Sequence, residues 1–116
     1  MGAPRIGSYR FGHLVVDGEP YTQDVIILPE RVVAGWWRKE GHALHSDDLA
    51  DVLAARLDLL VVGQGANGLM RVTVEAQRAL EQAGIELIAQ PSKDACEIYN
   101  RLREQRAVAA ALHLTC

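Results

Sequence analysis

A chain of 116 residues in which 49% are apolar and 23% charged is expected to form one globular domain spanning 1–116, neither disordered nor fibrous. Twelve basic residues against fifteen acidic ones leave a net charge of −3, which argues against a surface built to neutralise nucleic-acid phosphates. No apolar run approaches the roughly 20 residues of a membrane-spanning helix, and the start MGAPRIGSYRFG lacks a secretory apolar block, so a cytoplasmic protein is expected.

In chain order, Tyr9 to Val16 (YRFGHLVV) reads as a strand, and Asp17-Gly18 is a dipeptide that favours a tight reversal. Thr22 to Leu28 reads as a second strand ended by Pro29. Arg31 to Arg38 (RVVAGWWR) is rich in β-branched and aromatic residues and reads as a third, with Gly35 marking a bulge. After Gly41, Ser46 is placed to cap a helix over about Asp47–Arg56, whose Leu49, Val52, Leu53 and Leu57 recur at helical spacing. Asp58 to Val62 (DLLVV) has the continuous apolar character of a strand covered on both faces.

A second helix is expected from a Thr73 cap to a stop at Gly84, then a strand over Ile85–Ala89. A third helix follows from a Ser92 cap. Ala107 to Leu114 closes the chain as a strand or a continued helix. The alternation after Asp58 implies parallel neighbours joined by right-handed crossovers, giving an α/β domain with a β-hairpin layer added at its start.

The stretch VVGQGANG places Gly63, Gly65 and Gly68 at the G-x-G-x-x-G spacing of dinucleotide sites. Such a site needs the helix to open inside the glycines and an acid at the end of the next strand. Here four residues separate Gly68 from the Thr73 cap, and the next strand carries Glu86 near its start. The glycines are therefore read first as backbone necessities of a sharp turn. The competing reading is an anion or small-molecule site formed by Gly63, Gly65, Asn67, Gly68 and Arg71.

Other constellations carry less. His42-x-x-His45 with Asp47 and Asp48 reads as a polar loop and a charged first turn, so no metal and no cofactor are expected. His13 and His113 read as satisfied core or edge histidines. Cys116 follows His113 by three residues, a spacing that invites a thiol and imidazole pairing, but a neighbouring terminal carboxylate disfavours a thiolate there; Cys96 reads as core, and both are expected as reduced thiols. Met1-Gly2 is followed by Ile6 where a myristoylation signal needs Ser or Thr. Trp36 and Trp37 must point to opposite faces if they lie on a strand, leaving one as an interface candidate.

Several separated motifs together resemble a known family. They are Tyr9 to Gly12, Asp17 to Pro29, Trp37 to His42, Gly63 to Met70, Glu75 to Ile85, Ala95 to Leu102 and the closing HLTC of His113 to Cys116. Nearly the whole chain resembles domain-of-unknown-function family 498, the Mth-type domain, whose members include an adipogenesis-associated domain protein and a mitochondrial complex I assembly factor. The resemblance implies a three-layer α/β fold with a mixed central sheet, helices on both faces and an added N-terminal β layer. It implies no established enzymatic activity and a glycine loop that belongs to the fold itself. It also implies action through protein contacts, so a protein partner is expected and self-association is open. The assembly-factor members carry an organelle-targeting extension that this sequence lacks, which suits a stand-alone prokaryotic version.

Overall fold

A computed structural model describes residues 2–116; Met1, and with it the start of the Met1-Gly2 pattern, lies outside the described residues. The chain opens with three antiparallel strands, β1 (Ile6–Arg10), β2 (His13–Val16) and β3 (Glu19–Tyr21). The run read as one strand from Tyr9 is thus two. Phe11 and Gly12 turn between them, with Gly12 at φ +72°, a conformation glycine adopts without strain. Asp17-Gly18 makes the expected second reversal, both residues at positive φ. Pro20 sits in β3, which pairs only with β2, so its missing N–H leaves no ladder bond unmade.

The central sheet contains β4 (Val25–Leu28), β5 (Arg31–Ala34), β7 (Leu59–Gln64), β9 (Glu86–Gln90) and β10 (Val108–His113), in the order β5-β4-β10-β7-β9. The last three of that order run parallel, and β4 and β5 are antiparallel to them and to each other. Between Ala34 and β7 lie β6 (Ala43–Leu44), a 3-10 turn over Ser46–Leu49 and α1 (Ala50–Ala54). The helix read over Asp47–Arg56 is therefore shorter and opens as 3-10. His45 takes the cap position, because the Ser46 N–H and hydroxyl both go to the Glu75 carboxylate. β6 pairs with β8 (Arg71–Val72), a two-residue contact with no sequence signal.

Helix α2 (Val74–Gln82) has the expected Thr73 cap, whose hydroxyl oxygen accepts the Ala76 N–H at 3.1 Å. Helix α3 (Ser92–Leu102) is capped at Pro91 rather than Ser92, whose side chain is used elsewhere. Ala107 to Leu114 resolves as strand. Its alanines favour helix in isolation, but small residues are what the middle of a sheet covered on both faces can pack.

Alternation along the strands sorts the core. Leu59, Val61, Ala110, Leu112 and Ile27 face α3 and the three-stranded sheet, which lie side by side over one face. Leu60, Val62, Ala109, Ala111 and Ile26 face Trp36, Leu49, Val52, Met70 and Leu80 on the other. The result is the expected three layers, with helices on both faces and the β layer sharing one of them.

Candidate functional site

Three neighbouring strands finish or begin at one end of the sheet. Strands β7 and β10 run parallel and end in register at Gln64 and His113, while antiparallel β4 begins beside them, just after Asp24. Ligands of open α/β sheets gather at this carboxyl end, because the strand termini and following loops leave side chains unpaired there. In this chain the end collects Asp24, Arg38, His42, His113 and the glycine loop.

Asp24 is the hub. Its Oδ1 accepts the Leu114 N–H at 2.8 Å; its Oδ2 lies 2.8 Å from Arg38 Nη1 and 2.8 Å from His113 Nδ1. Burial on its own would raise the Asp24 pKa, but the bonds from His113, the Leu114 N–H and Arg38 together outweigh it and hold the carboxyl below its ordinary value. An ionised carboxylate only accepts, so the His113 Nδ1 must carry the proton and donate it. Arg38 Nη2, 3.1 Å from that same nitrogen, then gives its own proton to the Gly41 carbonyl, also at 3.1 Å. In the neutral ring this leaves Nε2 as the acceptor, and Nε2 is buried without a partner among the described residues. His113 is therefore held on one side and unmet on the other. The expectation of a satisfied histidine fails there, as it does at the His13 Nδ1, also buried without a partner.

Arg38 is only 8% exposed, and its guanidinium carbon lies 4.8 Å from the Trp36 ring centroid. Trp36 is itself pinned, its indole N–H donating to the Asp48 carbonyl at 2.8 Å. Gly35, at φ +64°, ends β5 before this segment, so both tryptophans lie beyond the strand expected to contain them. They nevertheless part as predicted, Trp36 being 7% and Trp37 78% exposed. The two histidines of His42-x-x-His45 also separate. His42 lays its ring edge-on to His113, with centroids 6.0 Å apart, and His45 Nε2 meets Glu40 Oε2 at 2.6 Å. No group of three or more metal-ligating side chains converges among the described residues.

The glycine loop is knotted to this cluster by its backbone. Gly65 N–H donates to Ser92 Oγ at 2.9 Å, and that hydroxyl donates to the His113 carbonyl at 2.5 Å. Ala66 N–H goes to the Thr115 carbonyl, Gly68 N–H to Gly65 and Met70 N–H to Gln64. These four N–H groups of the loop are already engaged by the fold and are not free to hold an anion. Gly63 backs onto α3, where a Cβ would lie 2.8 Å from Ser92 Oγ. Gly65, at φ +92°, has no room for one either: a Cβ would stand 2.7 Å from the Thr115 carbonyl oxygen and 2.8 Å from His113 Cδ2. Gly68 takes φ +68°, and Asn67 and Arg71 point into solvent. The sequence reading missed Asp24 and Arg38 as partners of His113. The motifs Asp17 to Pro29, Trp37 to His42, Gly63 to Met70 and the closing HLTC, which it did single out, meet here.

Residues 6–113 match the family described as "Protein of unknown function (DUF498/DUF598)". The chain belongs to that family. Its fold recurs in a conserved hypothetical protein from Pyrococcus horikoshii, at 27% identity and a TM-score of 0.83, over 97% of this chain and 99% of that one. A protein from Bartonella henselae described as an outer membrane protein is similar at 24% identity and a TM-score of 0.85, over 99% and 98%. A Bordetella pertussis protein described as a Mth938-like domain is similar at 20% identity and a TM-score of 0.77, over 96% and 85%. At those two identities the likeness is one of fold. Among the described residues of this DUF498/DUF598 member, no helix is long and apolar enough to cross a membrane.

Proposed function

We infer that the domain is a non-enzymatic protein-interaction module, of the kind that serves assembly, docking through the carboxyl end of its central sheet. One observation carries the reading: Phe11, Trp37 and Leu69 are 61%, 78% and 55% exposed, and all three belong to loops at that end. Phe11 precedes Gly12, whose N–H donates to the Leu114 carbonyl; Leu69 precedes Met70, bonded to Gln64; Trp37 precedes Arg38. Large apolar side chains scattered singly mean little, but three around one edge form a surface whose removal from water favours association. Tryptophan is the residue most often dominant at such contacts. Arg10 and Arg71, exposed on flanking strand ends, make no ion pair among the described residues, which favours a partner with an apolar anchor beside carboxylates. The reading places the module in the cytoplasm, where two free cysteines stay reduced.

The test is capture from the source cells with the wild-type chain and with a variant carrying Phe11→Ser, Trp37→Ser and Leu69→Ser. A partner retained by the first and lost by the second is the expected result, with Trp37→Ser alone weakening the purified pair by about 30-fold. Equal capture by both chains, or none specific to the wild type, overturns the reading. Small-molecule binding at Gly63, Gly65, Asn67, Gly68 and Arg71 stays as the second reading, favoured by the position of that loop at the carboxyl end. Thermal unfolding against nucleotides, phosphate and nicotinamides tests it.

A further inference from the structure

We propose that the chain forms a symmetric dimer in which the free edge of β9 pairs antiparallel with β9 of a second copy. This surface is the side of the sheet, separate from the exposed loops at its carboxyl end. Strand β9 closes the order β5-β4-β10-β7-β9 and has a neighbour on one side only. The Glu86 N–H donates to the Asp58 carbonyl at 3.0 Å, toward β7. Successive residues of a strand aim their backbone groups to opposite sides, so the N–H and C=O of Leu87 and Ala89 aim outward. Those four groups make no hydrogen bond among the described residues.

Exposed edges are ordinarily guarded by a lysine, a proline, a bulge or a very short strand. Strand β9 reads ELIAQ, with no cation and no proline, and its register with β7 runs unbroken from Glu86 to Gln90. Its one charge, Glu86, is met by Arg106 at 3.2 Å. The opposite edge is better defended: β5 is a residue shorter and opens with Arg31, which faces Asp51 at 3.6 Å.

The edge also fits itself. Setting Leu87 opposite the partner's Ala89 joins every outward backbone group and places the two-fold axis at Ile88. Ile88 then meets its own copy, and Glu86 lies opposite the partner's Gln90, whose amide is a donor for the carboxylate. The two Glu86 residues are offset by four strand positions, roughly 13 Å, which exceeds the screening length of about 8 Å at physiological salt. On the other face the same register brings the partner's Pro91 opposite Ile85. A groove of about 360 Å³ lies there, bordered by Gln77, Glu81, Ile85, Glu86 and Leu87. Leu87, Ile88 and Ala89 are each half-buried, and the pairing covers what remains of them.

An edge this short gives a weak association, so sedimentation of the full chain is followed from about 10 µM to about 1 mM. The mass is expected to rise toward that of a dimer, with the Leu87 and Ala89 amides gaining protection from hydrogen exchange as it does. Gln90→Glu sets carboxylates opposite each other at both ends of the pairing and should raise the dissociation constant about ten-fold. Glu86→Gln combined with Gln90→Glu restores a carboxylate opposite an amide and should return it to within about three-fold of wild type. Residues 86 and 90 are exposed, so both chains keep the fold. A chain that stays monomeric throughout overturns the proposal and leaves the edge to a strand of another protein. A dimer that leaves the Leu87 and Ala89 amides unprotected, that Gln90→Glu does not weaken, or that the double variant does not restore, overturns it as well.

Discussion

The Asp24 carboxylate, on the residue before β4, sits 2.8 Å from Nδ1 of His113, the last residue of β10, and clasps two antiparallel neighbours at the end where loops begin. The same carboxylate neutralises Arg38, whose side chain is 5% exposed. Removing Asp24 would strand that cation, and stranding one member of a buried pair costs more than the pair itself contributes. Asp24→Ala is expected to destabilise the chain by about 3 kcal/mol, the low end of such cases, because the Asp24 side chain keeps some solvent contact. Urea unfolding measures this; a loss under about 1 kcal/mol would show that Arg38 finds water instead.

Acid should expose the same linkage. Burial pushes the Asp24 pKa up, and the bonds from His113, the Leu114 N–H and Arg38 more than reverse that push, so the folded value lies below the ordinary 3.8. The unfolded chain therefore binds the proton first. The stabilisation is fully present above about pH 4 and is lost as the pH falls through the lowered value. Stability measured between pH 5 and pH 2 should fall less steeply in Asp24→Asn than in wild type, and parallel curves would remove Asp24 from the account.

Gly65 is predicted to be irreplaceable. At φ +92° any other residue is strained by roughly 1–3 kcal/mol, and the new Cβ would also meet the Thr115 carbonyl oxygen at 2.7 Å. Gly65→Ala should lower the unfolding midpoint by on the order of 10 °C. Gly18→Ala supplies the control, with a similar φ of +83° and nothing within 4 Å. The excess of the first over the second measures the close approach. Ser92→Ala, which leaves the buried Gly65 N–H unmet, should cost about 1–3 kcal/mol.

The adjacent tryptophans should behave in opposite ways. Trp36→Ala empties a buried site, drops the bond to the Asp48 carbonyl and uncovers Arg38, so a loss of about 3–5 kcal/mol is expected. Trp37→Ala should change stability by no more than about 0.5 kcal/mol. Differential scanning calorimetry separates them, and equal losses would contradict the assignment of inside and outside.

Much of the fold was readable locally. Thr73 and Gly84 bound α2 as expected, Asp17-Gly18 makes its turn, and the alternation after Asp58 gives parallel strands. Gly12 and Gly35 ended strands sooner than their apolar surroundings suggested, because a single positive φ redirects the chain whatever its neighbours favour. Ser92 had the residue type of a cap, but its hydroxyl was claimed by Gly65 and His113, far away in sequence.

Residue order alone settles which residues turn, which alternate and which face of each strand is apolar, since those follow from backbone sterics and side-chain periodicity over a few residues. That β10 lies between β4 and β7 emerges only when the chain packs. Periodicity names the buried face of a strand and is silent about the strand beside it, because pairing is settled by the sum of distant contacts. That one insertion brings Asp24, Arg38, His42 and Gly65 around His113. Each member lies in a motif legible along the chain, but no local pattern announces that they meet, because the meeting follows from which strand lies beside which.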